Sequence, residues 1–316
     1  MGSDAASTAF RRLVDNVRRV IAGNDVAVET AAICLFADGN LLLEGVPGVG
    51  KTTLARALAV SIGGEFSRIQ ATPDLLPSDL TGISIYDQHE ESFRFVPGPV
   101  FANVVLVDEI NRTPARTQSA LLEPMEERQV TVEGVARLLP EPYVVIATEN
   151  PIEQHGTYPL PEGQLDRFAL AVRVGYPDAD GSLDVVRRQL QRHPLLDLEQ
   201  AVTPADVLAA QHAVRAVYVD EAVMRYAVDL VSATRSTPGV ALGASPRASV
   251  ALVRCAQARA IAHERDHVLP DDVKALAVAA LAHRLVMSVG AVDEARATVE
   301  RLLGEVPVPL HVARRG

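Results

Sequence analysis

The chain has 316 residues, 48% of them hydrophobic, and a formal charge of −10, so it can bury a sizeable core and its length fits two domains better than one. Intrinsic disorder is excluded as the main theme, and the acidic balance opposes the counterion release that drives nucleic-acid binding, so no nucleic-acid partner is expected. No apolar run approaches the ~18 residues needed to cross a bilayer, and the start lacks a basic region followed by an apolar one; no membrane insertion and a cytoplasmic location are expected.

Residues 8 to 37 read as helix, with Phe10, Leu13, Val14, Val17, Val20 and Ile21 at three-to-four spacing and an interruption at Gly23-Asn24. Cys34 in this stretch and Cys255 far downstream sit in apolar helical runs, which encodes neither a disulfide framework nor a zinc ribbon. The apolar run Leu41-Leu42-Leu43 then leads into Gly45-Val46-Pro47-Gly48-Val49-Gly50-Lys51-Thr52, and Thr53 opens a helical stretch. Glycines let successive backbone N–H groups turn inward around phosphate oxygens, and the helix adds the positive end of its dipole. Lys51 is placed to reach the β and γ phosphates and the Thr52 hydroxyl to bind Mg²⁺. That pattern marks a nucleoside triphosphate binder.

Two stretches, 80–86 and 92–96, flank a polar tip and predict a β-hairpin near 80–101. The run Val104-Val105-Leu106-Val107 ends in Asp108-Glu109, where Asp108 is placed to hold the Mg²⁺ shell and Glu109 to polarise the attacking water. A helix is expected over 115–127, although Pro124 interrupts it. A second hairpin, near 129–139, turns at Glu133-Gly134. Each hairpin reads either as a satellite sheet over the core or as a projecting substrate-contact element. The strand 143–148 precedes Glu149-Asn150-Pro151, which brings the Asn150 amide toward the γ phosphate as an orienter of water. Gln164-Leu165-Asp166-Arg167-Phe168 precedes the last apolar run, 169–174, and Arg167 has the planar charge that a phosphoryl-transfer transition state needs, from its own or a neighbouring subunit. Together the runs 41–46, 104–107, 143–147 and 169–174 predict buried parallel strands of an α/β sheet with the ligand beyond their carboxyl ends. From about Pro177 the chain shows no strand; 203–215, 219–236, 246–265, 270–287 and 291–303 have helical period. Ser245-Pro246-Arg247 caps the third of these, with Arg247 in its first turn.

This set resembles the AAA+ ATPases, and within them the MoxR family, over nearly the whole chain. The matching stretches are Gly45 to Thr52 (Walker A), Val107-Asp108-Glu109-Ile110-Asn111-Arg112 (Walker B and its extension), Ala147-Thr148-Glu149-Asn150-Pro151 (sensor 1), Gly156-Thr157-Tyr158-Pro159-Leu160-Pro161-Glu162 with Leu165-Asp166-Arg167-Phe168 (arginine finger), and Gly243 to Ala248 (sensor 2). The resemblance implies an α/β fold, an AAA+ parallel sheet with flanking helices over residues 1–176, then a smaller all-helical lid over 177–316. The hairpins look like the helix-2 and pre-sensor-1 inserts of that clade. It implies ATP and Mg²⁺ as ligands, held by Ile21, Gly23, Gly45, Pro47, Gly48, Gly50, Lys51, Thr52 and Thr53, with Thr52 and Asp108 on the metal and Glu109, Asn150, Arg167 and Arg247 in catalysis. It further implies a hexameric ring that remodels client proteins, metalloenzymes among them, alongside a von Willebrand factor A domain protein. His155, where such sequences carry an acidic residue, and Pro124 depart from the pattern.

Two other classes stay open from the residues alone: a nucleotide-gated scaffold with negligible turnover, against which Glu109 argues, and a nucleic-acid motor, against which the charge argues. The stretch His263-Glu264-Arg265-Asp266-His267 matches His-Glu-x-x-His, a zinc protease pattern, but Leu269-Pro270 ends the helix almost at once.

Overall fold

The computed structural model describes residues 2–150, 157–191, 194–288 and 292–309. Helices α1 (Ser3–Arg18) and α2 (Asp25–Phe36) lead into β1 (Asn40–Glu44), α3 (Lys51–Ile62) and β2 (Phe66–Gln70). There follow α4 (Pro77–Thr81), the hairpin β3 (Gly82–Asp87) and β4 (Ser92–Pro97), and β5 (Val104–Asp108). Next come α5 (Ala115–Ser119), α6 (Leu122–Glu127), the hairpin β6 (Gln129–Val132) and β7 (Val135–Leu138), β8 (Val144–Glu149), α7 (Glu162–Leu165) and β9 (Phe168–Arg173). The remainder is helical: α8 (Ala179–Gln191), α9 (Pro204–Ala216), α10 (Glu221–Ser236), α11 (Pro246–Ala262), α12 (Pro270–Leu281) and α13 (Val292–Glu305), with a small ribbon of β10 (Val240–Leu242) and β11 (Val286–Met287).

Five strands form one parallel sheet in the order β2-β5-β8-β1-β9. Every residue of β1 and β5 is buried, which is why they read as unbroken apolar runs: helices cover both faces of such a sheet. Strand β2 is the exception. It lies at the sheet edge and only Ile69 of its five residues is buried, so Phe66-Ser67-Arg68-Ile69-Gln70 gives no apolar run and the sequence predicts four strands where there are five. The expectation of no strand beyond Pro177 is corrected by the β10–β11 ribbon.

One continuous apolar core runs from α1, α2 and α3 across a face of the sheet into α9 through α13. Phe10 of α1 meets Phe36 of α2 edge to face, with ring centres 5.3 Å apart, the geometry the ring quadrupoles favour. A second core fills the other face, from Leu42, Val105 and Val145 to Leu121 and Met125. The expected helix over 115–127 is broken between Ser119 and Leu122. Pro124 then falls in the first turn of α6, where its missing N–H removes no hydrogen bond, so the break avoids the roughly 3 kcal/mol of a proline inside a helix. His155 lies outside the described residues.

Both expected hairpins form, and they lean on each other: the Ser84 hydroxyl donates to Glu133 Oε2 at 2.7 Å, and the Arg137 guanidinium lies 4.0 Å from the centre of the Phe95 ring. They also leave apolar groups in solvent, Phe93 at 73% and Leu138 at 80% exposure, with Ile83, Ile85 and Tyr86 about half exposed.

Candidate functional site

The loop after β1 passes between β8 and β9. Gly45 N–H donates to the Glu149 carbonyl at 3.1 Å, and a Cβ on Gly45 would stand 2.4 Å from the Val174 carbonyl oxygen, so only glycine threads here. Gly48 and Gly50 have φ of +85° and +92°, and a Cβ at either would meet nothing within 4 Å. They line open space, and their positive φ turns the backbone around it. This is the cradle a triphosphate needs. Lys51 is 9% exposed, and its ammonium donates to the Gly45 carbonyl, with the Val46 carbonyl 3.4 Å away.

The cleft beside the loop has a volume of about 440 Å³. It is lined by Ile21, Pro47, Gly48, Gly50, Lys51, Thr52, Thr53, Asp108 and Glu109, nine of the expected residues, and also by Arg68, Gln70, Pro177 and Val185. Gly23 stands just behind, with φ +70°; a Cβ there would come within 2.8 Å of Pro177 Cβ, so this glycine lets the first segment close on the start of the helical part.

Carboxylates arrive from the end of β5. Thr52 Oγ1 donates to Asp108 Oδ2 at 3.3 Å, and Thr148 Oγ1 donates to Asp108 Oδ1 at 2.7 Å while accepting the Glu109 N–H at 2.8 Å. Thr148 therefore orients both acidic residues from the neighbouring strand. Glu109 sits at φ +58°, a left-handed conformation that a non-glycine residue adopts only when held there. Its carboxylate meets Arg112 Nε at 3.0 Å and Gln70 Nε2 at 3.5 Å, and Arg68 Nη2 takes Asp108 Oδ2 at 2.7 Å. Arg68 and Gln70 come from the strand that carries no sequence signal. Asn150 is 5% exposed at the end of β8 but does not line the cleft.

Arg167 and Arg247 lie elsewhere. Arg167 immediately precedes β9, at the amino end of the sheet, on the order of 15 Å from the loop given ~3.3 Å per strand residue. Both arginines line a separate cleft of about 670 Å³ together with Asn40, Glu126, Asp166 and Arg254. The chain brings its two expected arginines to each other and takes them away from its own phosphate loop. Asp166 anchors the arrangement: it accepts from the Ser245 hydroxyl at 2.8 Å and from Arg284 Nε at 3.0 Å, and Arg284 is itself buried.

Burial beside Glu44 pushes the Glu149 carboxyl from 4.5 up to about 6. A folded value above the unfolded one means that the stabilising contribution is full below about pH 4.5 and lost as pH rises through 6. Glu149→Gln should be more stable than wild type by roughly 2 kcal/mol at pH 8 and equal to it near pH 4; urea midpoints at the two pH values check this, and equal midpoints at pH 8 reject it.

The His-Glu-x-x-His stretch is not helical. Helix α11 ends at Ala262 and Glu264 has φ +58°, so the two imidazoles do not stand one turn apart on a helix. Among the described residues no group of three or more His, Cys, Asp or Glu is placed to hold a metal ion, and no helix is long and apolar enough to cross a membrane.

Residues 40–170 match the model of the ATPase family associated with various cellular activities (AAA), and residues 232–302 match the AAA lid domain. The chain is similar to the chaperone MoxR1 of Mycobacterium tuberculosis, 41% identical over 98% of this chain and 84% of the relative. It is similar as well to the protein MoxR of Methylorubrum extorquens, 33% identical over 89% of this chain and 90% of the other. The crystal structure of a candidate ATPase from Cytophaga hutchinsonii superposes with a TM-score of 0.89 at 39% identity, covering 97% of each chain.

Proposed function

This chain belongs to the MoxR family of AAA ATPases, and on that footing we propose that it hydrolyses ATP in a ring of identical subunits and uses the turnover to remodel or mature client protein complexes. The observation that carries the reading is the division of the site. Loop, threonine and carboxylates gather at one end of the sheet and the arginines at the other, so a complete hydrolytic site needs two copies arranged head to tail. Such a contact repeats until it closes, which makes a ring; we propose a hexamer.

In this reading the backbone N–H groups of the loop and Lys51 bind the triphosphate. Thr52 and Asp108 would hold Mg²⁺, which supplies neutralisation of phosphate charge. Glu109 accepts a proton from the attacking water, and Asn150, buried at the end of β8 outside the lining of the cleft, would turn toward that water to orient it. Arg167 and Arg247 of the adjoining copy stabilise the charge that develops as the terminal phosphoryl group leaves. The apolar groups on β3–β4 and β6–β7 offer the client contact, since exposed apolar surface on a projecting element marks a binding face. The clients we propose are complexes under maturation, metalloenzymes among them, with a von Willebrand factor A domain protein as partner; both assignments rest on family membership.

Mixing separates the halves of the site. Lys51→Ala subunits have a damaged loop and intact arginines; Arg167→Ala subunits have the converse. Each alone should be inactive, and the mixture should recover ATP hydrolysis through hybrid interfaces, as measured by phosphate release. Co-assembly without recovery would reject supply in trans.

A further inference from the structure

Arg167 and Arg247 come from distant parts of the chain, one before β9 and the other in the first turn of α11, yet both reach the same carboxylate. Arg167 Nε lies 3.1 Å from Glu126 Oε1, outside hydrogen-bond alignment, and its Nη2 donates to Oε2 at 3.4 Å; Arg247 Nη1 takes Oε1 at 2.5 Å. Two guanidinium groups that repel each other are thus held side by side by one acidic group between them. The backbones that carry them are already pinned by Asp166 through Ser245 and Arg284. The two long side chains are held less evenly: Arg167 also donates to the Gly163 carbonyl, while Arg247 is half exposed. Glu126 is what gives them a common direction. It sits near the end of α6, three residues before β6 begins the second hairpin.

We propose that Glu126 is a positioning residue for hydrolysis at the neighbouring subunit: it sets Arg167 and Arg247 as a pair aimed at the next copy's triphosphate, and through α6 it ties that aim to the β6–β7 hairpin. The proposal rests on the reading that these arginines act in trans. Misplacing a catalytic group by about 1 Å can cost on the order of 100-fold in rate, so two arginines freed to drift apart lose transition-state stabilisation while the loop of the same chain is untouched.

The test uses full-length Glu126→Gln, which keeps size and removes charge. Its kcat for ATP hydrolysis should fall about ten-fold, with calorimetric ATP affinity unchanged. Mixed with Lys51→Ala subunits, which carry intact arginines, it should regain activity beyond the sum of the two variants alone. Mixed with Arg167→Ala subunits it should not, because both carry the defect on the same side of the interface. Recovery with Lys51→Ala requires folded, assembled Glu126→Gln subunits, so it also answers the concern that the variant is merely misfolded. The Lys51→Ala and Arg167→Ala mixture is the control for the underlying reading. If that control recovers while Glu126→Gln keeps wild-type kcat, is rescued by Arg167→Ala, or is rescued by neither, Glu126 does not position the arginines and the trans reading survives. If the control itself fails, both fall.

Discussion

Glu109→Gln should stop steady-state ATP hydrolysis, with kcat lower by roughly 100- to 10,000-fold, the span over which a positioned general base contributes, while the protein still takes up ATP. The physical reason is narrow. Glutamine keeps the shape of the side chain and can still hydrogen-bond Gln70 and Arg112, which lie 3.5 and 3.0 Å from the native carboxylate, but it cannot accept a proton from water. The left-handed backbone at Glu109 is fixed by its N–H bond to Thr148 and is unaffected. Binding should be preserved because Lys51, Thr52 and the loop glycines make it, and Asp108 keeps its contacts with Thr52, Thr148 and Arg68. Phosphate release against calorimetry separates the two effects, and an unchanged kcat would remove Glu109 from the chemistry. The variant that binds without turning over is also the reagent for capturing a client.

What the sequence discloses here follows from how local each signal is. The phosphate loop is legible because glycine spacing, the preceding apolar run and the following helix are contiguous, and eight of the expected ligand residues line one cleft with Glu109. The same contiguity makes β1, β5, β8 and β9 visible. Arg68 and Gln70 are not, since an edge strand with one buried residue has no apolar pattern; their role comes from lying beside β5 in the sheet, with Gln70 registered against Asp108. The arginines are half legible. Residue type and motif identify Arg167 and Arg247, but only the parallel sheet, which puts the residue before β9 at the end opposite the loop after β1, places them away from their own nucleotide cleft. Glu126 carries no signal, because it acquires meaning only from two side chains that arrive from 41 and 121 positions downstream. The reading of 246–265 as one helix overruns by three residues: α11 ends at Ala262, Glu264 takes a left-handed φ of +58°, and Arg265 pairs with a partner on the following helix.

That partner is Asp272, and its replacement by Ala should destabilise the helical part by about 3 to 5 kcal/mol, the range for removing one member of a buried ion pair. Asp272 is fully buried in the first turn of α12. Burial alone would raise its carboxyl, but hydrogen bonds from Nη1 and Nη2 of Arg265 at 2.6 Å, from the Leu269 N–H at 2.8 Å and from Arg259 Nη1 at 2.8 Å outweigh burial and hold it below its usual value. Alanine leaves two arginine side chains, each less than a quarter exposed, without a counter-charge, and leaves the start of α12 uncapped. A depressed folded value means that the carboxylate's contribution is present above the ordinary aspartate pKa near 3.9 and lost as pH falls through the folded one. The gap between wild type and variant should therefore be full at pH 7 and shrink on acidification below about pH 4. Urea unfolding, with amide exchange followed separately in α11 and α12, reads both effects; a gap under about 1 kcal/mol at pH 7 would mean that the two arginines find water or other partners at little cost. Because α11 opens with Arg247 and α12 leads to Arg284, the substitution should also lower the variant's ability to rescue Lys51-intact neighbours that lack Arg167, while leaving ATP uptake in its own cleft in place, which ties the stability of this joint to the arginines it presents.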